Sequence, residues 1–165
     1  MASKAEMFGR ALGKAVKHTV AGFKPAEAAP VMYRTNMRDM PQAEELSRDD
    51  GWVDAQVQFL IDKASAGADH TVGRTVLKPG ARHAHHRHLN CEAFFIVLKG
   101  HGMILTDAGD KPAREGDVVY LPRGCWHGFD NTSGEEVVLL WGLLGAGSIE
   151  ASGYQVHPNQ KGSNA

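Results

Sequence analysis

The sequence predicts an all-β domain, a barrel or sandwich of short strands, and three observations carry that prediction. After Asp50-Gly51 the chain breaks into seven short runs of β-forming residues, turn residues separate those runs, and no long helical pattern falls among them. The length of 165 residues suits one well-packed domain and is short for two. An apolar fraction of 42% and a charged fraction of 22% fit a folded, soluble chain rather than a disordered one.

Ahead of the strands the charge is uneven. Residues 1–41 carry seven Lys/Arg against three Asp/Glu, whereas 42–165 carry eleven against sixteen. In the basic part Met7, Phe8, Leu12, Ala15, Val16 and Val20 recur at helical spacing, with Lys4, Arg10, Lys14 and Lys17 between them. We read a short amphipathic helix, weakened at Gly9 and Gly13, that packs on the main domain or on a second copy of the chain. A basic amphipathic targeting segment is the competing reading, opposed by scarce serine and by Glu6. Pro25, Pro30 and Pro41 punctuate an irregular stretch from 22 to 50, an arm rather than a domain. The predicted organisation is an N-terminal helix and arm over 1–50, a β-barrel over 51–145 and a tail over 146–165.

The predicted strands are 53–61, 71–77, 92–98, 101–106, 117–121, 126–130 and 136–143. Turn signals separate them: Pro79-Gly80, Lys99-Gly100, Ala108-Gly109-Asp110, Glu115-Gly116-Asp117 and Asn131-Thr132-Ser133-Gly134. The tail is rich in Gly, Ser and Asn and reads as loosely held, apart from a short strand around Tyr154 to Val156.

Composition excludes several function classes. The net charge of −1, from 18 basic and 19 acidic residues, offers no excess to hold a nucleic-acid backbone. No apolar run reaches the length of a membrane span. Cys91 and Cys125 are too few for a disulfide scaffold and suit a reducing compartment. With no continuous apolar stretch after the first basic residues, as a secretory signal requires, the expected location is cytoplasmic.

Of nine histidines, four fall between positions 83 and 88. Histidine and carboxylate ligate divalent metals of intermediate softness, and both occur within ten positions here. In an extended chain His86 and His88 share one face while His83 and His85 take the other. Glu92 joins His86 and His88 if the chain between stays extended. The second informative stretch is GDVVYLPRGCWHGFDN, residues 116–131, which places Gly116, Pro122, Gly124, His127 and Asn131 at spacings of five, one, two and three intervening residues.

Together the two segments resemble the paired motifs of the cupin superfamily, small β-barrels that usually hold one metal ion. The second motif, G-x5-P-x-G-x2-H-x3-N, is matched at every fixed position. The first, G-x5-H-x-H-x3-4-E-x6-G, is matched at Gly80, His86, His88 and Glu92. Its last glycine, Gly100, comes one residue late, which we read as a hairpin lengthened by one. The resemblance implies a single jelly-roll barrel and one divalent metal ion per chain. Its implied ligands are His86, His88, Glu92 and His127. Fe(II) leads among the metals, with Mn, Ni, Co and Zn as alternatives.

Counting by twos from Glu92, Phe94, Ile96 and Leu98 should face the barrel interior and Phe95 and Val97 the outside. Phe94, Tyr120, Trp126, Phe129 and Trp141 are candidates to line a pocket. Arg74 is a candidate to bind a substrate carboxylate. His18, His70, His101 and His157 read as ordinary surface residues. Three functions fit: a mononuclear non-haem Fe(II) dioxygenase acting on a small organic substrate; an oxygen-independent lyase, decarboxylase or isomerase; and a non-catalytic ligand-binding barrel. The four-ligand set disfavours the last. The expected partners are a small-molecule substrate and further copies of the chain, in a homodimer or larger assembly, with no nucleic acid and no membrane.

Overall fold

Strand-forming residues dominate the chain after Gly51, and the computed structural model, which describes residues 31–44 and 46–160, is mostly β. The expected N-terminal amphipathic helix and His18 lie outside the described residues. The strands are β1 (Trp52–Ile61), β2 (Thr71–His88), β3 (Glu92–Lys99), β4 (His101–Thr106), β5 (Lys111–Arg114), β6 (Val118–Leu121), β7 (His127–Asp130), β8 (Val137–Leu144) and β9 (Tyr154–Val156). A single turn of helix, α1 (Lys63–Ala66), follows β1; Asp62 caps its N-terminus by accepting from the Ser65 backbone N–H. Six of the seven predicted strands appear within one residue of their expected ends. The exception is the run beginning at Thr71, which continues through the histidine cluster to His88. The short strand β5 and helix α1 were not foreseen.

That long strand is the spine of the sheet. Residues 71–77 pair with β1 on one side and β8 on the other, and residues 82–88 pair with β7 and β9. The sheet order is β5-β4-β7-β2-β8-β3-β6, with β1 and β9 also on β2, all antiparallel. Curling of this sheet turns one face inward. Leu77, Ala81, Phe95, Val97, Leu121, Val137, Leu139 and Leu143 fill it as a single apolar core.

The face assignment of β3 is the reverse of the one expected. Ala93, Phe95 and Val97 are buried, while Glu92 and Leu98 are exposed and Ile96 is only half-buried. The cause is local. Leu89 and Asn90 leave the strand, both exposed, and their backbone N–H groups bond to Gly153 and Ser152. The two-residue departure puts His88 in phase with Cys91 and Ala93, so the side-chain alternation slips by one.

The tail is also better held than its composition implies. Ala146 and Ser152 are buried, and β9 pairs with the histidine end of β2, His88 opposite Tyr154. The described part of the arm, from residue 31, runs over β1 without regular structure: the Ala43 N–H bonds to Val57, and the Gln58 amide donates to the Met37 and Met40 carbonyls.

Candidate metal centre

His86, His88 and His127 converge at the β7–β9 end of β2. His86 and His127 are direct cross-strand partners, with ring centroids 4.1 Å apart, and His88 lies 5.2 Å from His86. All three rings are buried, and one nitrogen from each lies within 4.8 Å of the others, so the group can hold a metal ion. The second motif fixes His127 through its loop. The Gly124 N–H bonds to the His88 carbonyl, and the Cys125 N–H closes a turn on Pro122. Asn131 is fully buried, and its amide donates to the Leu77, Lys78 and Glu135 carbonyls, which fastens the far end of β7.

The partners of the three rings decide their tautomers. His86 Nδ1 lies 2.8 Å from the Ala84 carbonyl and His127 Nδ1 2.9 Å from the Cys125 carbonyl. A carbonyl only accepts, so each Nδ1 carries the proton. His88 Nδ1 is 2.9 Å from Ser152 Oγ, whose own proton goes to the Ile149 carbonyl, so His88 Nδ1 donates as well. Every ring therefore keeps its Nε2 lone pair free. Burial pushes all three pKa values down: well below the usual imidazole range for His86, to about 3 for His88 and to about 4 for His127. Three neutral imidazoles with fixed donors behind them are the state that binds a divalent ion.

The rings face a cavity of about 60 Å³. Ala93, Phe95, Leu139 and Trp141 form much of its wall, and no Asp, Glu, Lys or Arg lines it among the described residues. Glu92 is not there. It sits on the outer face beside Tyr120, whose phenol it shifts to a higher pKa. Ala93 takes the inward place instead. Leaving six residues before Gly100, as the motif does, also arrives at Ala93 rather than Glu92. The hairpin is not lengthened, since only Gly100 stands between β3 and β4. Gly100 has φ of 81°, and a Cβ there would come within 2.7 Å of the Glu136 carbonyl. The slip in the motif thus lies at the carboxylate.

Of the five pocket candidates, Phe94, Phe129 and Trp141 line the cavity, whereas Tyr120, Trp126 and the substrate candidate Arg74 do not. Arg74 lies on the other face of β2 and donates to Gln58. Tyr120 is 57% exposed. Trp126 lies outside, under the Arg87 guanidinium at 4.4 Å and against His157. Cys91 is buried, with its thiol pKa pushed up by desolvation, and Cys125 is exposed.

Four residues of the site are not foreseen from the sequence: Trp52, His83, Ser152 and Tyr154. His83, expected on the far face, lies between Trp52 and His86, with ring centroids 3.4 Å and 3.9 Å away. A β-bulge explains it: three steps along β2 from His83 to His86 match two steps along β7 from Phe129 to His127. His85 takes the outer side, against His157. Tyr154, brought in by β9, gives its hydroxyl proton to the Asp50 carbonyl, so His83 Nε2 donates to the Tyr154 oxygen at 3.1 Å. The bulge leaves no mark in the residue pattern. Tyr154 lies 66 residues from His88 in sequence, beyond any spacing argument.

The family model for the cupin domain matches residues 73–142. Over 81 residues the chain is 33% identical to a gentisate 1,2-dioxygenase from a Ralstonia species, covering 48% of this chain and 22% of that protein. The chain spans between 22% and 64% of the lengths of the curated relatives it matches. Among solved structures it resembles the polyketide cyclase RemF from Streptomyces resistomycificus, with TM-score 0.60 and 26% identity over 69% of this chain and 80% of that one. It also resembles a predicted oxalate decarboxylase from Thermotoga maritima, with TM-score 0.61 and 21% identity over 68% and 98%; that likeness bears on the fold alone.

Proposed function

Since the chain belongs to the cupin superfamily, we propose that it is a metal-dependent enzyme acting on a small organic substrate, with one divalent ion held by His86, His88 and His127. The observation that carries this reading is the set of three buried imidazoles, each with Nδ1–H committed to an acceptor and Nε2 free. Such an ion supplies Lewis acidity and open coordination positions for substrate. The protein's own part is to hold His83 Nε2–H on Tyr154, to keep the cavity wall apolar and water-poor, and to orient the three rings.

Within this class the leading reading is a mononuclear non-haem Fe(II) dioxygenase, supported by the similarity to a gentisate 1,2-dioxygenase. A second reading, an oxygen-independent lyase, decarboxylase or isomerase, is favoured by one observation: no carboxylate lines the cavity among the described residues, and a neutral three-imidazole set suits zinc acting as a Lewis acid. Elemental analysis of natively purified protein, with an oxygen-uptake screen on acidic carbonyl and phenolic compounds, separates them. Iron with uptake is the expected result. Zinc, nickel or manganese with turnover under argon would transfer the assignment to the second reading, and a protein that takes up no metal would overturn both.

A further inference from the structure

Outside the inner cavity, Trp52, Ile149 and Tyr154 also line a second, wider chamber of about 670 Å³ on the arm side of the barrel. The shared residues place it directly against the histidine cavity. Among the described residues four carboxylates line it: Glu44, Asp50, Asp62 and Glu150. No Lys, Arg or His does, among the described residues. The Asp50 and Asp62 carboxylates accept from Ser47 and Ser65, neutral donors that leave their charge in place. Two cations close in sequence to its lining are engaged elsewhere, Arg48 with Asp54 and Lys63 with Asp69. At the boundary between the two spaces stands Trp52, 6% exposed, whose indole N–H is buried without a hydrogen-bond partner. A buried donor left open beside a cavity is what a ligand acceptor satisfies. A neighbouring groove does hold Arg87, but it shares only Tyr154 with the inner cavity, and its guanidinium is fixed on Gln155 and Trp126.

A negatively charged substrate in this chamber would face four like charges and, among the described residues, no compensating Lys or Arg in the apolar cavity beside it. A positively charged one is concentrated by the same field. We propose that the substrate of the histidine site carries an ammonium or other cationic end, which the carboxylate-lined chamber holds while the metal-binding end enters the inner cavity. This rests on the metal-dependent reading and adds the charge of the substrate to it.

Three catechols with the same chelating head and different tails test it: unsubstituted catechol, 4-(2-aminoethyl)catechol and 3,4-dihydroxyphenylacetate. Binding to the full-length, cobalt-loaded protein is read from the metal's visible absorption. The ammonium form should bind about tenfold more tightly than the carboxylate form at low ionic strength. The gap should close with added salt and in Glu44→Gln and Glu150→Gln. Equal or reversed affinities overturn the proposal, as does failure of all three to bind a protein shown to hold cobalt. If the protein takes up no metal, the functional reading has failed, and the chamber's preference is read instead from quenching of Trp52 fluorescence by caesium and by iodide, with Trp52→Phe as the blank. Stronger quenching by caesium supports the cationic subsite, and equal or stronger quenching by iodide overturns it.

Discussion

His83 lies flat against His86, ring centroids 3.9 Å apart at an interplanar angle of 22°, although the two are three residues apart on one strand. A regular strand would send them to opposite faces. The bulge that brings them together also builds a stack of Trp52, His83 and His86, which covers one face of the His86 ring while the Ala84 carbonyl holds its edge.

His83→Ala should therefore loosen the site without emptying it. The affinity for zinc, measured by competition with a chromophoric chelator, should fall by about tenfold. His85→Ala, on the outer side, should leave affinity unchanged. If His85→Ala empties the site and His83→Ala does not touch it, the bulge is misplaced.

Ligand and bystander should separate cleanly among the remaining candidates. His86→Ala, His88→Ala and His127→Ala should each lose stoichiometric metal while the far-ultraviolet circular dichroism of the barrel is kept. Ser152→Ala, which deprives His88 Nδ1–H of its acceptor, should lower metal affinity by about 10–100-fold. Glu92→Gln should retain one metal per chain, because the carboxylate is exposed on the outer face. Loss of metal in Glu92→Gln would return that carboxylate to the site.

The histidine set was legible in the sequence because its information is local. His86 and His88 are spaced by two on one strand, and His127 opens β7 at fixed short sequence spacings from Pro122, Gly124 and Asn131. The turn residues located most strands for the same reason. Phase was not legible. Whether Glu92 or Ala93 faces inward depends on two residues, Leu89 and Asn90, leaving the strand to bond with Ser152 and Gly153 some sixty residues on. Whether His83 faces inward depends on one extra residue opposite β7. Both are tertiary decisions about register, and a single slip inverts every side chain beyond it. Trp52, Ser152 and Tyr154 reach the site only because β1 and β9 pair with β2.

The lowered pKa values of the histidines set the acid limit of the metal-free protein. Burial is the first cause at His83, His86, His88 and His127. In the unfolded chain each imidazole takes a proton near pH 6.5, whereas the folded protein resists until about 3 at His88 and about 4 at His127. Below about pH 6.5 the unfolded state binds more protons, so folding stability drops as pH falls. Each such imidazole adds a slope of up to about 1.4 kcal/mol per pH unit across that window. Urea-unfolding midpoints taken at about pH 7.5, 6 and 5 should decline steadily, starting near the free imidazole pKa. Bound metal should come off below about pH 5.5 as protons compete for Nε2. A midpoint that holds constant over this range would mean that the four rings are not buried in neutral form.

Ala93 gives the most direct test of where the motif slips. It is 4% exposed, lines the cavity with the three histidines, and stands seven residues ahead of Gly100, whose positive φ ties it to the β3–β4 turn. A carboxylate at this position would enter the cavity that Glu92 does not reach. In the metal-free protein Ala93→Glu buries a charge with no partner, at a cost of about 3 kcal/mol or more, and its melting temperature should drop well below that of the parent. Zinc should reverse this. The ion neutralises the new carboxylate and gains a fourth donor, so the zinc-induced rise in melting temperature should be larger in Ala93→Glu than in the parent at the same free zinc concentration. Moving the existing carboxylate by one, in the double variant Glu92→Ala/Ala93→Glu, should give the same enlarged rise, since Glu92 contributes nothing to the cavity. An equal or smaller rise in both variants would show that the inward position on β3 is not Ala93, and the phase of the strand would have to be shifted back by one.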